Sequence, residues 1–483
     1  MSAVDRADVV VIGAGIAGLT CALALSDHGM RVTVLERSAI AGGRASSWTD
    51  DTTGDRIDIG PHIFHCEYRN MLALLDRLGT RGLITWQPGK LLTLASKPHP
   101  LRLRHRPLPP PLSIVPSMLT APGLSARDYL SMLRTGWHGM TFGEECVAGL
   151  DREAALDYFR RHGVSERMID WWWRFAAMVV TSVPLERCSA ASLMRIHAQL
   201  SGYRGMHFGF AGVGLGDVYA PAAIAAIEAA GGQVLTGTAV EAITGAARAD
   251  GVRLAGGGQL RAAQVVSALP PMDLAHILPS GVREAAPFDR LHAFEASPYV
   301  SCYLWFDRAL GVERFVSHLW SRERLNYDFY DLCQIRHGWQ GRPTVVASNI
   351  IYSHRVHGMS DHEIIKATVD EFAEFCPQSR NACLAHARVH RIPLAIPCPT
   401  PGFEALRPAS ATSWPGLVLA GDWMRTSLPC TMESAAKSGY MAAETVLQAA
   451  GKRVSLALDA RNYDGIAGAV RRGAVWWRQR RGG

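Results

Sequence analysis

An α/β fold is predicted for this chain: a doubly wound, parallel-sheet domain assembled from several segments, an interleaved mixed-sheet domain and a helical insert. Three observations predict it. A strand, a glycine turn, a helix and a second strand follow one another between residues 7 and 36. A strand at 416–423 and a helix at 431–448 close the α/β portion at the other end. Between these ends lie a mainly helical stretch, 126–200, and a set of alternating strand-type segments.

The first strand is the apolar run Asp8-Val9-Val10-Val11-Ile12, and the turn after it is Gly13-Ala14-Gly15-Ile16-Ala17-Gly18. Residues 19–28 have helical propensity until Gly29 stops them, and Arg31 to Glu36 read as the second strand. Two strands joined by a helix imply a parallel pair of the Rossmann type. In that setting Gly13 allows the tight turn, Gly15 lets backbone approach a pyrophosphate, and Gly18 permits close packing of helix on strand. Glu36, at the end of the second strand, is placed to accept hydrogen bonds from ribose hydroxyls, and an acid there argues against a 2′-phosphate. Gly42-Gly43-Arg44 supplies a second bare backbone and a cation, as a ligand longer than a nicotinamide dinucleotide requires.

Further along, six prolines and no charged residue fall within 107–126, with leucines, isoleucine and valine between them. Helices are expected at 151–161 and 169–180, the latter carrying Trp171, Trp172 and Trp173. Strands are expected at 233–243, 251–254, 264–268, 299–306, 344–352 and 387–392, with a helix at 361–375. The second helix N-terminus, at Thr431 and Met432, is suited to negative charge on a reduced flavin, with Asp422 serving hydroxyls nearby.

Length and composition bound the function. At 483 residues and 52.5 kDa the chain has material for two to four domains at the usual roughly 100–200 residues each. Apolar residues are 48% and charged residues 19%, which excludes a disordered chain. No apolar run reaches the length of a membrane span. The ten cysteines include no CxxC pair, so reduced thiols and a cytoplasmic compartment are expected. His62, His65 and Cys66, and His354 with His357, lack further ligands at a metal-site spacing, so no metal is expected. No GxSxG serine elbow is present.

The net charge of +7 is unevenly spread: residues 471–483 carry five arginines and no acid, and no acid lies between Asp76 and Asp128. Arginine with Trp476 and Trp477 suits a lipid headgroup layer; nucleic acid and a solvated tail are the competing uses. A peripheral membrane surface on the inner face is the expected partner, and nucleic acid is not.

The combination of Gly13 to Gly18, Glu36, Gly42-Gly43-Arg44, Asp58-Ile59-Gly60-Pro61-His62 and residues 419–439 resembles the FAD-dependent amine oxidase and phytoene desaturase superfamily. Within it, 68–79, 159–163, 183–190 and 426–433 look most like squalene-associated desaturases, the group that includes hydroxysqualene dehydroxylases. Pro61 and Phe64 look closer to the carotenoid desaturases, and the chain extends past about residue 450. The resemblance implies FAD as cofactor, bound by Gly13, Gly15, Ile16, Ala17, Gly18, Glu36, Arg37, Gly42, Gly43, Arg44, Gly60, Pro61, His62, Val240, Gly421, Asp422, Thr431, Met432 and Ala435. It places His62 near the isoalloxazine, as the catalytic candidate or as a structural contact. It implies a FAD-binding domain from 1–98, 205–285 and 393–460, a helical, membrane-facing lid at 99–204, a substrate-domain sheet at 286–392 and a basic tail at 461–483.

The activity implied is hydride exchange between flavin and a long polyisoprenoid, by desaturation or reductive dehydroxylation. The electron partner is left open among quinone, oxygen and reduced nicotinamide. An amine oxidase acting on a small amine, and a non-catalytic FAD-binding scaffold, are the alternatives.

Overall fold

A computed structural model describes residues 6–95 and 99–481. The first of its two seven-stranded sheets is the dinucleotide-type sheet, with Arg6–Ile12 at its centre. Arg6–Ile12 pairs in parallel with Val32–Leu35 on one side and Gln259–Ser267 on the other. Gln233–Leu235 extends the sheet beyond Val32–Leu35, and Leu417–Leu419 pairs in parallel with Gln259–Ser267. Residues 9–12, Val32–Leu35 and Leu417–Leu419 are buried almost throughout, which is why they read as continuous apolar runs rather than alternating ones. Helix Ile16–Asp27 lies on one face between helices Ala220–Ala229 and Met432–Ala449, and nearly all of its residues are buried.

The second sheet runs Leu384–Pro397, Ala296–Phe306, Val345–Ile350, Asp328–Asp331, Phe315–His318, Leu92–Ala95 and Leu101–Leu103. Helix Asp361–Phe375 covers one face, where Phe372 meets Phe306 and Phe329. Its capping box, Ser360 with Glu363, fixes the start at the residue the sequence predicts. The other face carries Tyr303, Trp305, Phe315 and Tyr330 and packs against Phe175 of the helical insert.

Several expectations are corrected. Leu92–Ala95 and Leu101–Leu103 form a hairpin of the second sheet, so neither belongs where the boundary at 98/99 put it. Leu384–Pro397 continues that sheet past 392, paired along its length with Ala296–Phe306. The expected strand 233–243 is two strands, Gln233–Leu235 and Val240–Thr244, on opposite ends of the first sheet's order. The expected helix at 169–180 is broken into π-helical turns, Ile169–Trp173 and Ala177–Thr181, around the short α-turn Arg174–Ala176. The basic tail contains a helix, Gly465–Arg481, which docks on the insert. There Ala467 donates its N–H to Pro110 O (3.0 Å), Arg478 donates to Thr141 O (2.5 Å), and Ala467 and Tyr463 are buried. No helix among the described residues is long and apolar enough to cross a membrane.

Candidate functional site

The glycine turn is built as its spacing requires. Gly13 sits at φ +102° and donates its N–H to Leu35 O at 2.7 Å. A Cβ on Gly18 would fall inside the Gly13 carbonyl, so helix and turn touch through bare backbone. Gly15 is the contrast: a Cβ there would meet nothing within 4 Å. It is the N-cap of helix Ile16–Asp27, no side chain caps it, and the first turn holds no acid. The N–H groups of Ile16, Ala17 and Gly18 therefore end in an open approach that suits a pyrophosphate.

The second glycine pair braces the first. Gly42 donates its N–H to Ala14 O (2.9 Å) and bridges Gly15, while the Tyr219 hydroxyl donates to Gly42 O at 2.9 Å. A side chain on Gly43 would start 3.5 Å from Gly15 Cα and crowd that approach. Glu36 is buried and accepts the N–H of Ala14 and of Ser38, each at 2.9 Å. The turn after Leu235 crosses this strand end, with Thr238 donating to Glu36 O, and leads directly into Val240. Arg37 is exposed and pairs with Asp273 at 3.2 Å. Bare backbone at Gly15, an uncapped helix end and a buried acid at the strand terminus fit the adenosine and pyrophosphate part of FAD.

Arg44 and Asp422 come from opposite ends of the sequence and meet as a paired fork, Nη2 to Oδ1 at 2.7 Å and Nη1 to Oδ2 at 3.2 Å. Gly421 is tied to helix Met432–Ala449 by its N–H on Ser438 Oγ (2.8 Å), and Ser434 Oγ donates to Asp422 O at 2.9 Å. That helix begins at Thr431, whose side chain accepts from Ser434 N–H, and Met432 and Ala435 lie in its first turn. Its Glu433 faces inward and accepts three hydrogen bonds, from Asn70 N–H, Asn70 Nδ2 and Met71 N–H. Burial pushes the Glu433 carboxyl up. Glu433 thus anchors helix Arg69–Leu78 rather than facing a ligand.

Two supports of the site escaped sequence reasoning. Arg407 is fully buried and donates to the carbonyls of Asp422, Met424 and Leu428, fixing the loop between Gly421 and Thr431. Glu404 pairs with Arg407 at 3.2 Å and with Arg195 at 2.8 Å. Glu404 and Arg407 are three residues apart, but Arg195 and the carbonyls that Arg407 holds lie outside that local window, so no local pattern announces the cluster.

The Gly60-Pro61-His62 turn lies against the second sheet. A Cβ on Gly60 would collide with Ser301 Oγ. Ser301 Oγ donates to Ile59 O (2.9 Å), Asn349 Nδ2 to Pro61 O (3.0 Å), and the Tyr303 hydroxyl to Asp58 O (2.9 Å). His62 is half-buried and its Nδ1 lies 2.9 Å from Gly60 O. Since a carbonyl only accepts, Nδ1 carries the proton and Nε2 the lone pair. Burial lowers the His62 pKa and keeps the ring neutral. Ile63, Trp171, Trp172, Val179 and Phe208 stay only partly buried beside the apolar face of the second sheet. No group of three or more His, Cys, Asp or Glu close enough to hold a metal ion occurs among the described residues.

Comparison with known proteins adds to this geometry. The family model for flavin containing amine oxidoreductases matches residues 16–447. The 15-cis-phytoene desaturase of Synechococcus elongatus is 26% identical over 457 residues, covering 91% of this chain and 95% of that protein. The chloroplastic 15-cis-phytoene desaturase of Solanum lycopersicum is also 26% identical, over 91% of this chain and 78% of its own. A probable zeta-carotene desaturase of Synechococcus elongatus is 23% identical, over 91% and 98%. Among solved structures, putrescine oxidase bound to putrescine superposes with a TM-score of 0.71 at 15% identity, over 92% of this chain and 99% of that one. Cyclohexylamine oxidase from Brevibacterium oxydans gives 0.68 at 20% identity, over 92% and 100%. At those identities the two structures share the fold.

Proposed function

The chain belongs to the flavin-containing amine oxidoreductase family and is an FAD-dependent oxidoreductase, and we propose that its substrate is a long polyisoprenoid hydrocarbon of the phytoene or squalene type. The observation that carries this reading is the end-to-end similarity to phytoene and zeta-carotene desaturases, over 91% of the chain. The partly buried aromatic and aliphatic side chains between insert and second sheet support it, because a hydrocarbon chain gains from such a lining along its whole length.

The N–H groups at Ile16 to Gly18 would hold the pyrophosphate, Glu36 the ribose, and the first turn of helix Met432–Ala449 the pyrimidine edge of the flavin. When bound, FAD supplies hydride exchange with the substrate carbon skeleton. The paired Arg44 and Asp422 join the second glycine turn to the loop before that helix, and Arg407 keeps this loop in place. The apolar layer excludes water from the reacting carbon. His62, neutral with its Nε2 lone pair available, is the group that takes up a substrate proton in the desaturation direction.

The test has two arms, both anaerobic. Oxidised holoenzyme given phytoene should lose its visible flavin absorption as a longer polyene spectrum grows in. Photoreduced holoenzyme given hydroxysqualene should regain that absorption as squalene forms. Success of either arm fixes the direction of the chemistry. Silence in both, with rapid bleaching by a small amine, would return the chain to the amine oxidases.

We also infer a peripheral position on the inner face of the cytoplasmic membrane. Exposed Leu130, Leu133 and Trp137 on the insert, and Trp476 on the docked C-terminal helix, support it.

A further inference from the structure

The hairpin that joins the second sheet to the insert closes one side of a surface cavity of about 430 Å³. Arg102, Arg104 and Arg106 line it together with Pro116, Ser117 and Thr120. Its wall is tied together: Ser117 Oγ accepts the N–H of Arg104 (3.2 Å) and donates to Arg104 O (2.8 Å), and Arg106 N–H reaches Ser113 O at 2.7 Å. Arg102 is partly neutralised by Glu313 at 2.9 Å. Arg104 and Arg106 are exposed, and among the described residues their guanidinium groups have no carboxylate partner. The segment's lack of any acid from Arg77 to Arg127 leaves that charge uncompensated along the chain.

The segment that contributes Pro116, Ser117 and Thr120 to this basic cavity also exposes aliphatic side chains. Leu119, between Ser117 and Thr120 in the sequence, is 58% exposed, and Leu108, Leu112 and Val115 of the same segment are exposed as well. The same 107–111 loop carries the C-terminal helix, through Ala467 N–H on Pro110 O and the contact of Gly465 with Pro109. Arginines lining a cavity and exposed aliphatic side chains on the same segment match a ligand with an anionic phosphodiester at one end and hydrocarbon at the other. A free soluble anion would gain nothing from the exposed leucines. We propose that this cavity receives the phosphate headgroup of an anionic phospholipid, so that docking is selective for anionic bilayer and sets the insert against the membrane. The inference rests on the peripheral membrane reading and deepens it.

The test uses FAD-loaded full-length protein and vesicles of phosphatidylcholine with or without phosphatidylglycerol. Wild type should partition preferentially to the vesicles containing phosphatidylglycerol. The double variant Arg104→Gln/Arg106→Gln should lose about 30-fold of that partitioning, as expected for two cations at an anionic surface, and keep wild-type binding to pure phosphatidylcholine. A control, Lys366→Gln/Arg380→Gln, removes the same charge at the outer helix of the second sheet and the turn after it, and should bind like wild type. Flavin absorbance and melting temperature confirm folding, and the single variant Arg106→Gln serves if the double one is unstable. Equal partitioning of wild type and double variant overturns the headgroup site alone. Failure of wild type to bind either vesicle overturns the peripheral reading with it. Tight, arginine-dependent binding of inorganic diphosphate in solution, undiminished when vesicles are present, would make the cavity a soluble-anion site and overturn the proposal. None of these readouts uses turnover, so they are independent of the redox experiment.

Discussion

Asp328 is 3% exposed on the face of the second sheet that looks toward the His62 turn. The Tyr330 hydroxyl donates to its Oδ2 at 2.9 Å and Asn349 N–H to its Oδ1 at 3.3 Å, while the Asn349 side chain holds Pro61 O. Burial raises the Asp328 pKa to about 6. Between the ordinary value near 4 and about 6, the folded state holds a proton that the unfolded state has lost. The Asp328 contribution to stability is therefore most favourable below about pH 4, falls as pH rises through this window, and is flat above it. Asp328→Asn keeps the shape and removes the titration. Relative to wild type it should gain on the order of 3 kcal/mol from about pH 4 to about pH 8, read from denaturant unfolding at the two pH values. A gap that does not change with pH would mean that Asp328 ionises like an exposed acid. Nothing near Asp328 in the sequence announces this role. Gly13, Gly15, Gly18 and Glu36 were legible because their chemistry is written in local spacing, whereas a buried carboxylate is defined by neighbours about twenty residues away on another strand.

At the scale of elements, a close approach between helices Ile16–Asp27 and Met432–Ala449 depends on one missing side chain. A Cβ on Gly439, in helix Met432–Ala449, would stand 2.5 Å from Ala17 O and 2.8 Å from Thr20 Cβ of helix Ile16–Asp27. Alanine raises intrinsic helix stability by about 1 kcal/mol over glycine, and overpacking a tight contact costs about 1–3 kcal/mol. Because backbone rather than a flexible side chain receives the collision, overpacking wins. Gly439→Ala should lower the melting temperature of the apoprotein and weaken FAD binding severalfold, by parting the two helix N-termini. Gly256→Ala, where a Cβ meets nothing within 4 Å, is the matched control. An unaltered FAD dissociation constant in Gly439→Ala would show that the helices tolerate separation. Elements with strong local signals were legible: Asp361–Phe375 carries its own capping box and apolar period, and the expected strand 299–306, within Ala296–Phe306, is a run rich in aromatic and aliphatic residues. The hairpin Leu92–Ala95 and Leu101–Leu103, and strands Phe315–His318 and Asp328–Asp331, were not. They are three or four residues long and owe their conformation to strands elsewhere in the chain. Helix Gly465–Arg481 was hidden for a related reason, since its sequence is rich in arginine and its docking rests on contacts with distant residues such as Pro110 and Thr141.

At the scale of the whole molecule, the two sheets must hold a fixed relation if a cofactor on one is to meet a substrate on the other, and a single short strand, Arg56–Asp58, carries much of that load. Asp58 is buried and spends Oδ1 on Ser47 Oγ (2.7 Å) and Leu215 N–H (2.8 Å), while Oδ2 pairs with the buried Arg336. Arg336 also donates to Ala211 O at 3.1 Å, and the Tyr303 hydroxyl caps Asp58 O. An ion pair taken out of water contributes little net stability by itself, yet removing one member leaves a buried charge without its partner. Arg336→Met should therefore cost about 3–5 kcal/mol, and Asp58→Asn in the same chain should restore part of that loss. Denaturant unfolding of the two single variants and the double variant gives the coupling directly. FAD release should track unfolding in Arg336→Met, because the strand that Arg336 holds leads straight into Gly60, Pro61 and His62. If the losses simply add, Asp58 and Arg336 act independently, and the relation between the sheets must rest instead on the hydrogen bonds from Ser301, Tyr303 and Asn349.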